Sequence, residues 1–69
     1  MNTIRLTQDN AFQYVGRQII FKTRINHIFN HIIRRIISVS ETGKSVEIEY
    51  PDLDNRLQII SRNVYVILD

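Results

Sequence analysis

The sequence contains no cysteine and no tryptophan, and its 69 residues include only one proline and two glycines. Without cysteine the chain can form no disulfide, no thiolate metal site and no thiol nucleophile. No apolar run approaches the about 20 residues of a membrane-spanning helix. The first residues also lack the basic and then apolar pattern of a signal peptide. We therefore expect a cytoplasmic protein without a membrane partner.

The length of the chain argues against an enzyme. A chain of this size buries only about 60% of its unfolded surface, which leaves no room for a large internal cleft. The sequence shows no catalytic triad, phosphate-binding loop or nucleotide fingerprint. We expect residues 1–69 to form one small domain that is not an enzyme and needs no cofactor.

Side chains branched at Cβ dominate what the sequence does contain. Thirteen isoleucines, five valines and four threonines make 22 of the 69 residues β-branched, against four leucines and one alanine. β-branched residues favour strands, whereas alanine and leucine lead the helix scale. The composition therefore predicts a mainly β protein. The excess of isoleucine over alanine also fits an AT-rich genome such as that of a phage or another mobile element.

The net charge of +2 hides an uneven distribution of charge along the chain. Residues 1–40 carry six arginines and lysines against one aspartate, which gives +5. Residues 41–69 carry three such cations against six acids, which gives −3. This asymmetry indicates an anionic partner. The alternative is that the two halves are neighbouring strands with complementary, solvated charges.

The spacing of apolar residues in the N-terminal third of the chain changes at Gly16. Ile4 and Leu6 predict a short first strand, and residues 8–15 predict a short helix that Thr7 caps and Gly16 ends. Beyond this glycine the period is two, which predicts a half-buried strand. The side chains of residues 19, 21 and 25 would share its buried face, and those of residues 18, 22 and 24 its exposed face.

Residues 35–50 predict a β-hairpin whose turn is residues 41–44, where Gly43 can adopt a positive φ. One register places only apolar side chains on one face and only polar side chains on the other. Its pairs are Ser40 with Ser45, Val39 with Val46, Ser38 with Glu47, and Ile37 with Ile48. Residues 51–55 predict a second turn, and two further strands follow it.

The segment of residues 24–37 fits two structures. Its isoleucines recur at i, i+3, i+4 and i+7, which is the pattern of an amphipathic helix. Its isoleucine content and the hairpin that follows favour strand instead. We expect a loop or one helical turn over residues 25–31 and a strand from Ile32. The alternative is an α+β fold with a central helix at about 24–37.

The order of these elements resembles a small β-barrel of the SH3-like (Tudor-like or KOW-like) or Sm-like type. Residues 14–21 are similar to the junction between the helix and the first strand of Sm-like proteins, and residues 57–67 resemble the end of that fold. Residues 36–48 resemble the central hairpin of Tudor-like and KOW-like barrels. The resemblance implies a single five-stranded barrel with a short N-terminal helix.

The candidate binding site is a set of basic residues in the N-terminal half. If neighbouring strands bring them together, they form a face whose like charges repel unless an anion covers them. Arginine suits this role because it contacts phosphates in a bidentate manner and stacks on bases. The candidate nucleic-acid or partner-binding residues are Arg17, Lys22, Arg24, His27, His31, Arg34 and Arg35.

The two histidines are spaced i, i+4, which on a helix could bind a metal, but no third ligand accompanies them. We therefore expect no metal site. Because histidine gains positive charge in mildly acidic solution, the sequence predicts a basic patch that strengthens at low pH.

Two functions fit these observations. The first is a non-enzymatic binding module whose basic face takes nucleic acid. The second is a small protein-interaction or inhibitor protein, encoded by a phage or mobile element, that binds an acidic surface of a host protein through the same arginines together with exposed isoleucines and tyrosines. A second copy of the chain is a further candidate partner, since Ile20, Ile33 and Ile60 break the alternation and are predicted to point outward.

Overall fold

The computed structural model describes residues 1–25, 27–49, 56–60 and 63–69. Six strands and one short 3₁₀ helix, η1, make up its regular structure. In chain order they are β1 (Thr3–Arg5), η1 (Ala11–Tyr14), β2 (Gln18–Ile25), β3 (Ile28–Val39), β4 (Ser45–Ile48), β5 (Arg56–Ile59) and β6 (Val64–Ile67). The predicted turn at residues 51–55 lies outside the described residues.

All six strands belong to one antiparallel sheet in the order β1-β6-β2-β3-β4-β5. Strands β2 to β5 follow one another as a meander, and β6 returns to pair with β2. The sheet curls into a half-barrel, which confirms the predicted mainly β fold. The short strand β1 extends the sheet beyond β6.

The core lies inside the curl of the sheet. Alternate side chains of β2, β4 and β6 point into it, and these include Ile19 and Phe21 as the period of two predicts. Leu6 and Ala11 close it from the N-terminal segment. No described polar or charged residue is buried with them. Among the residues whose burial is described, nine form the core: Leu6, Ala11, Ile19, Phe21, Ile36, Val46, Ile48, Val64 and Val66.

The predicted N-terminal helix over residues 8–15 is wrong in its extent, because the structure has only the single 3₁₀ turn η1. Asn10 competes with a longer helix: its side-chain oxygen accepts a hydrogen bond from the Thr7 amide at 2.8 Å, and its side-chain nitrogen donates one to the Arg5 carbonyl at 2.9 Å. Asparagine that bonds to nearby backbone in this way favours a turn. Only Ala11 of η1 is buried, so little packing supports a longer helix.

The helix proposed for residues 24–37 is also wrong, as is the loop over residues 25–31. Strand β2 continues to Ile25, and β3 begins at Ile28. Between them His27 has a φ of 66°, which is the left-handed conformation that a tight hairpin turn requires. The helix-like spacing arises because this ribbon carries apolar side chains on both faces: Ile32 and Ile36 point inward, and Ile33 points outward.

The hairpin between β3 and β4 has the predicted turn and most of the predicted register. Gly43 has a φ of 75°, Val39 lies opposite Val46, and Ser38 lies opposite Glu47. The expected pair of Ile37 and Ile48 is wrong, because an irregularity between Ile36 and Ser38 places Ile36 opposite Ile48. This extra residue shifts Ile36 into the core and leaves Ile37 exposed.

The two glycines provide a matched test of this packing. Both have positive φ, but a Cβ at Gly43 would lie 3.0 Å from the Gln8 carbonyl oxygen, whereas a Cβ at Gly16 would meet nothing within 4 Å. We expect Gly16→Ala to lower the free energy of unfolding by about 1–2 kcal/mol, the cost of a left-handed residue with a Cβ. Gly43→Ala should cost at least about 1 kcal/mol more, because the contact must also be relieved. Urea unfolding of both variants measures the difference, and equal losses would contradict the packing of this turn on Gln8.

Candidate binding surface

Strands β2 and β3 project beyond the rest of the sheet as a two-stranded ribbon. Strand β6 pairs only with residues 19–21 of β2, and β4 pairs with β3 only from Ile36 onward. Residues 22–25 and 27–31 therefore have no other strand beside them within the described part of the chain. We call these residues the arm.

The register of the arm decides which side chains share a face. Residues directly opposite each other on antiparallel strands project to the same side. Lys22 lies opposite His31, and Arg24 lies opposite Phe29. Their neighbours Ile19 and Phe21 point into the core, so these four side chains project from the other side of the sheet, which we call the outer face.

The two cations of the arm both lie close to one aromatic ring. Phe29 is 60% exposed on the outer face. The Nζ atom of Lys22 lies 5.2 Å from the centre of its ring, and the guanidinium carbon of Arg24 lies 5.8 Å from the same point. Both distances are within the range of a cation–π interaction. No acidic residue occurs in the arm, so the ring and two positive charges form one exposed cluster.

Arg34 does not join this cluster, although the sequence analysis placed it there. Its partner on β2 is Ile19, so its side chain leaves the sheet on the core side and not on the outer face. There it is half-buried, and its Nη1 donates a hydrogen bond to the Ile33 carbonyl at 2.7 Å. The prediction was wrong because the position of the β2–β3 turn was not recognised. That position determines which residues of β3 face the core.

Arg17 and Arg35 lie at the other end of the ribbon from the arm. The side chain of Arg35 is on the outer face opposite Gln18, where its Nε lies 3.8 Å from a carboxylate oxygen of Glu49. Its Nη1 also donates to the Gly16 carbonyl at 2.9 Å. The Nη1 of Arg17 reaches the Leu68 carbonyl at 3.4 Å. Both guanidinium groups thus have partners within the chain, and the carboxylate of Glu49 partly compensates the charge of Arg35.

The two histidines occupy different positions in the arm. His27 is exposed at the turn, and His31 is exposed beside Lys22 on the outer face. Since they lie on a hairpin, the helical i, i+4 geometry of a metal-binding pair does not arise. Among the described residues no group of three or more metal-ligating side chains is present.

Three residues of the outer face were not among the predicted site residues. Phe29 and His31 are two residues apart, so they lie on the same face of β3. A period of two applied to this strand would have identified Phe29. Tyr65 and Arg5 reach the same face through other strands, since Arg5 lies opposite Tyr65 on β6 and Tyr65 lies opposite Ile20 on β2. Sequence alone gives no signal for these two, because strands far apart in the chain bring them together.

The three isoleucines predicted to point outward differ in their positions. Ile20 and Ile33 lie opposite each other on the outer face, where Ile20 is half-buried and Ile33 is exposed. Ile60 instead packs against the core, so the prediction for it is wrong.

No protein-family model, curated protein or solved structure matches this chain. The described segments also include no helix with the length and apolar character to cross a membrane.

The two phenylalanines of the ribbon test the assignment of its faces. Phe21 is 2% exposed and points into the core, whereas Phe29 points to solvent. We expect Phe21→Ala to lower the free energy of unfolding by about 3–5 kcal/mol, as for other buried phenylalanines. Phe29→Ala should cost no more than about 1 kcal/mol, the loss of exposed cation–π contacts. Chemical denaturation compares them, and a large loss at Phe29 would show that it packs inside the protein.

Proposed function

We propose that this protein is a non-enzymatic nucleic-acid-binding module that uses the outer face of its arm. The observation that supports the proposal most directly is the exposed ring of Phe29 with Lys22 and Arg24 both within 6 Å of its centre. Proteins that bind nucleic-acid strands combine positive charges that follow the phosphates with aromatic rings on which bases stack. The arm carries both elements in a small area.

The charges of the arm support an anionic ligand. Lys22 and Arg24 project from the same face of one strand, and His31 lies across from Lys22. Like charges on neighbouring positions of a sheet are destabilising unless an opposite charge compensates them. The carboxylate of Glu49 lies against Arg35 at the far end of the ribbon. Phosphates bound over the arm would compensate these positive charges. Binding would also release counterions, so the affinity would depend on the salt concentration.

We also propose that the half-barrel is of the SH3-like or Sm-like type. The support is the order of its elements: a short helical turn, a meander of four strands, and a last strand that returns to pair with the first of them.

A protein partner is the second candidate, and exposed apolar side chains favour it. Ile28 is 66% exposed on the side of the arm opposite to Phe29, and Ile33 is 42% exposed on the outer face. An acidic host protein that covered both sides of the arm would bury these residues together with the positive charges. Such a partner would copurify in a stoichiometric complex that resists nuclease and moderate salt, whereas bound nucleic acid would raise the absorbance at 260 nm.

The proposal predicts that a cation of the arm contributes more to binding than an equal charge elsewhere. Arg24→Gln removes one charge from the cluster, and Lys44→Gln removes one from the exposed β3–β4 turn. We expect Arg24→Gln to weaken binding of a labelled single-stranded oligonucleotide about fivefold, and to reduce the slope of log affinity against log salt by about 0.7, the contribution of one phosphate contact. Lys44→Gln should change neither.

Fluorescence anisotropy titrations at several salt concentrations between about 50 mM and 200 mM give both quantities. Absence of binding by the wild-type protein at the lowest salt concentration would overturn the proposal. Equal effects of the two substitutions would show that binding is not located on the arm.

A further inference from the structure

A concavity opens on the outer face at the base of the arm, where four strands meet. Its volume is about 410 Å³, within the range of small-molecule binding sites. Side chains from β1, β6, β2 and β3, together with that of the residue just before β6, surround it. These are Thr3, Ile20, Lys22, His31, Asn63 and Tyr65.

The chemistry of the concavity is divided between its two sides. On one side Tyr65 lies opposite Ile20, which places a 39% exposed aromatic ring beside an aliphatic side chain. On the other side Lys22 lies opposite His31, which places an ammonium group beside an imidazole. A ligand that fits both sides has a flat apolar part and an adjacent anionic part. One unit of a nucleic-acid strand, with its base and its phosphate, has this composition.

We propose that this concavity holds one nucleotide of a single-stranded nucleic acid, with the base against Tyr65 and Ile20 and the phosphate at Lys22 and His31. The inference rests on the proposed nucleic-acid-binding function and specifies the form of its ligand. A base in a duplex is paired and stacked on both sides, so its face is accessible only after extrusion from the helix at a cost of a few kcal/mol. An unpaired base in a single strand is available without that cost.

The second aromatic ring of the outer face indicates the path of the strand. Phe29 lies opposite Arg24, four residues along β2 from the position of Tyr65. This register separates the two rings by about 13 Å along the strands and about 10 Å across them. The pair of Lys22 and His31 lies between. The distance exceeds one nucleotide, so a chain of several unpaired nucleotides can place bases on both rings and phosphates on the cations between them.

The test compares a mixed-sequence single-stranded probe with the duplex of the same sequence. A probe of about 12 nucleotides is within the length that small single-strand-binding folds cover. We expect the wild-type protein to bind the single strand at least about tenfold more tightly than the duplex. Tyr65→Leu should weaken binding of the single strand about tenfold, because a stacked base is lost, and should leave duplex binding unchanged. Tyr65→Phe keeps the ring and should retain the wild-type preference. In the wild-type protein, amide resonances of Thr3, Ile20 and Tyr65, which line the concavity but lie outside the arm, should shift when the single strand is added.

The outcomes separate this inference from the function on which it rests. The nucleotide site is wrong if single strand and duplex bind equally, Tyr65→Leu has no effect and the three amides do not shift. If Arg24→Gln still weakens binding in that case, the nucleic-acid function stands. If the wild-type protein binds neither probe at low salt, both are wrong. The amide shifts are measured on the unmodified protein, so they decide the question even if Tyr65→Leu does not fold.

Discussion

The pairing of β2 with β3 is the constraint on which the rest of this structure depends. The eight pairs from Gln18 and Arg35 to Ile25 and Ile28 fix which side chains point into the half-barrel and which point out. Once Phe21 faces the core, Lys22 must face outward, and the register then brings His31 beside it. A shift of one residue would exchange the two faces of β3 and place Phe29 and His31 on the core side. The buried side chains of the core therefore hold the exposed candidate surface in its arrangement.

The two parts of this ribbon differ in how much they contribute to the core. Its first part, beside β6 and β4, carries the core residues Ile19, Phe21 and Ile36. Its second part, the arm, extends past both neighbouring strands and buries little. Positive charges destabilise the fold less in the arm than they would beside the core, because water can solvate them on several sides. The same exposure leaves the ring of Phe29 open to a ligand.

How well each feature could be predicted follows from the range of the interactions that determine it. The hairpin around Gly43 is local, and its turn, the pairing of Val39 with Val46 and that of Ser38 with Glu47 agree with the sequence pattern. The bulge at Ile37 was missed because packing of Ile36 in the core, and not the hairpin itself, determines it. Arg34 was assigned to the wrong face because the turn at His27 carries no glycine or proline signal. Tyr65 was not identified because it joins the site from the opposite end of the chain.

The sequence by itself determined that this protein is mainly β, that its strands alternate between a core face and a solvent face, and that its positive charge is concentrated before Ser40. These properties come from side-chain branching, a period of two and a simple count of charges, none of which depends on distant contacts. Only the tertiary structure decided which cations share a surface and which aromatic rings lie beside them. The register across β6, β2 and β3 brings Tyr65, Lys22 and Phe29 to one face. That register is set by how the whole core packs, which no short segment of the chain encodes.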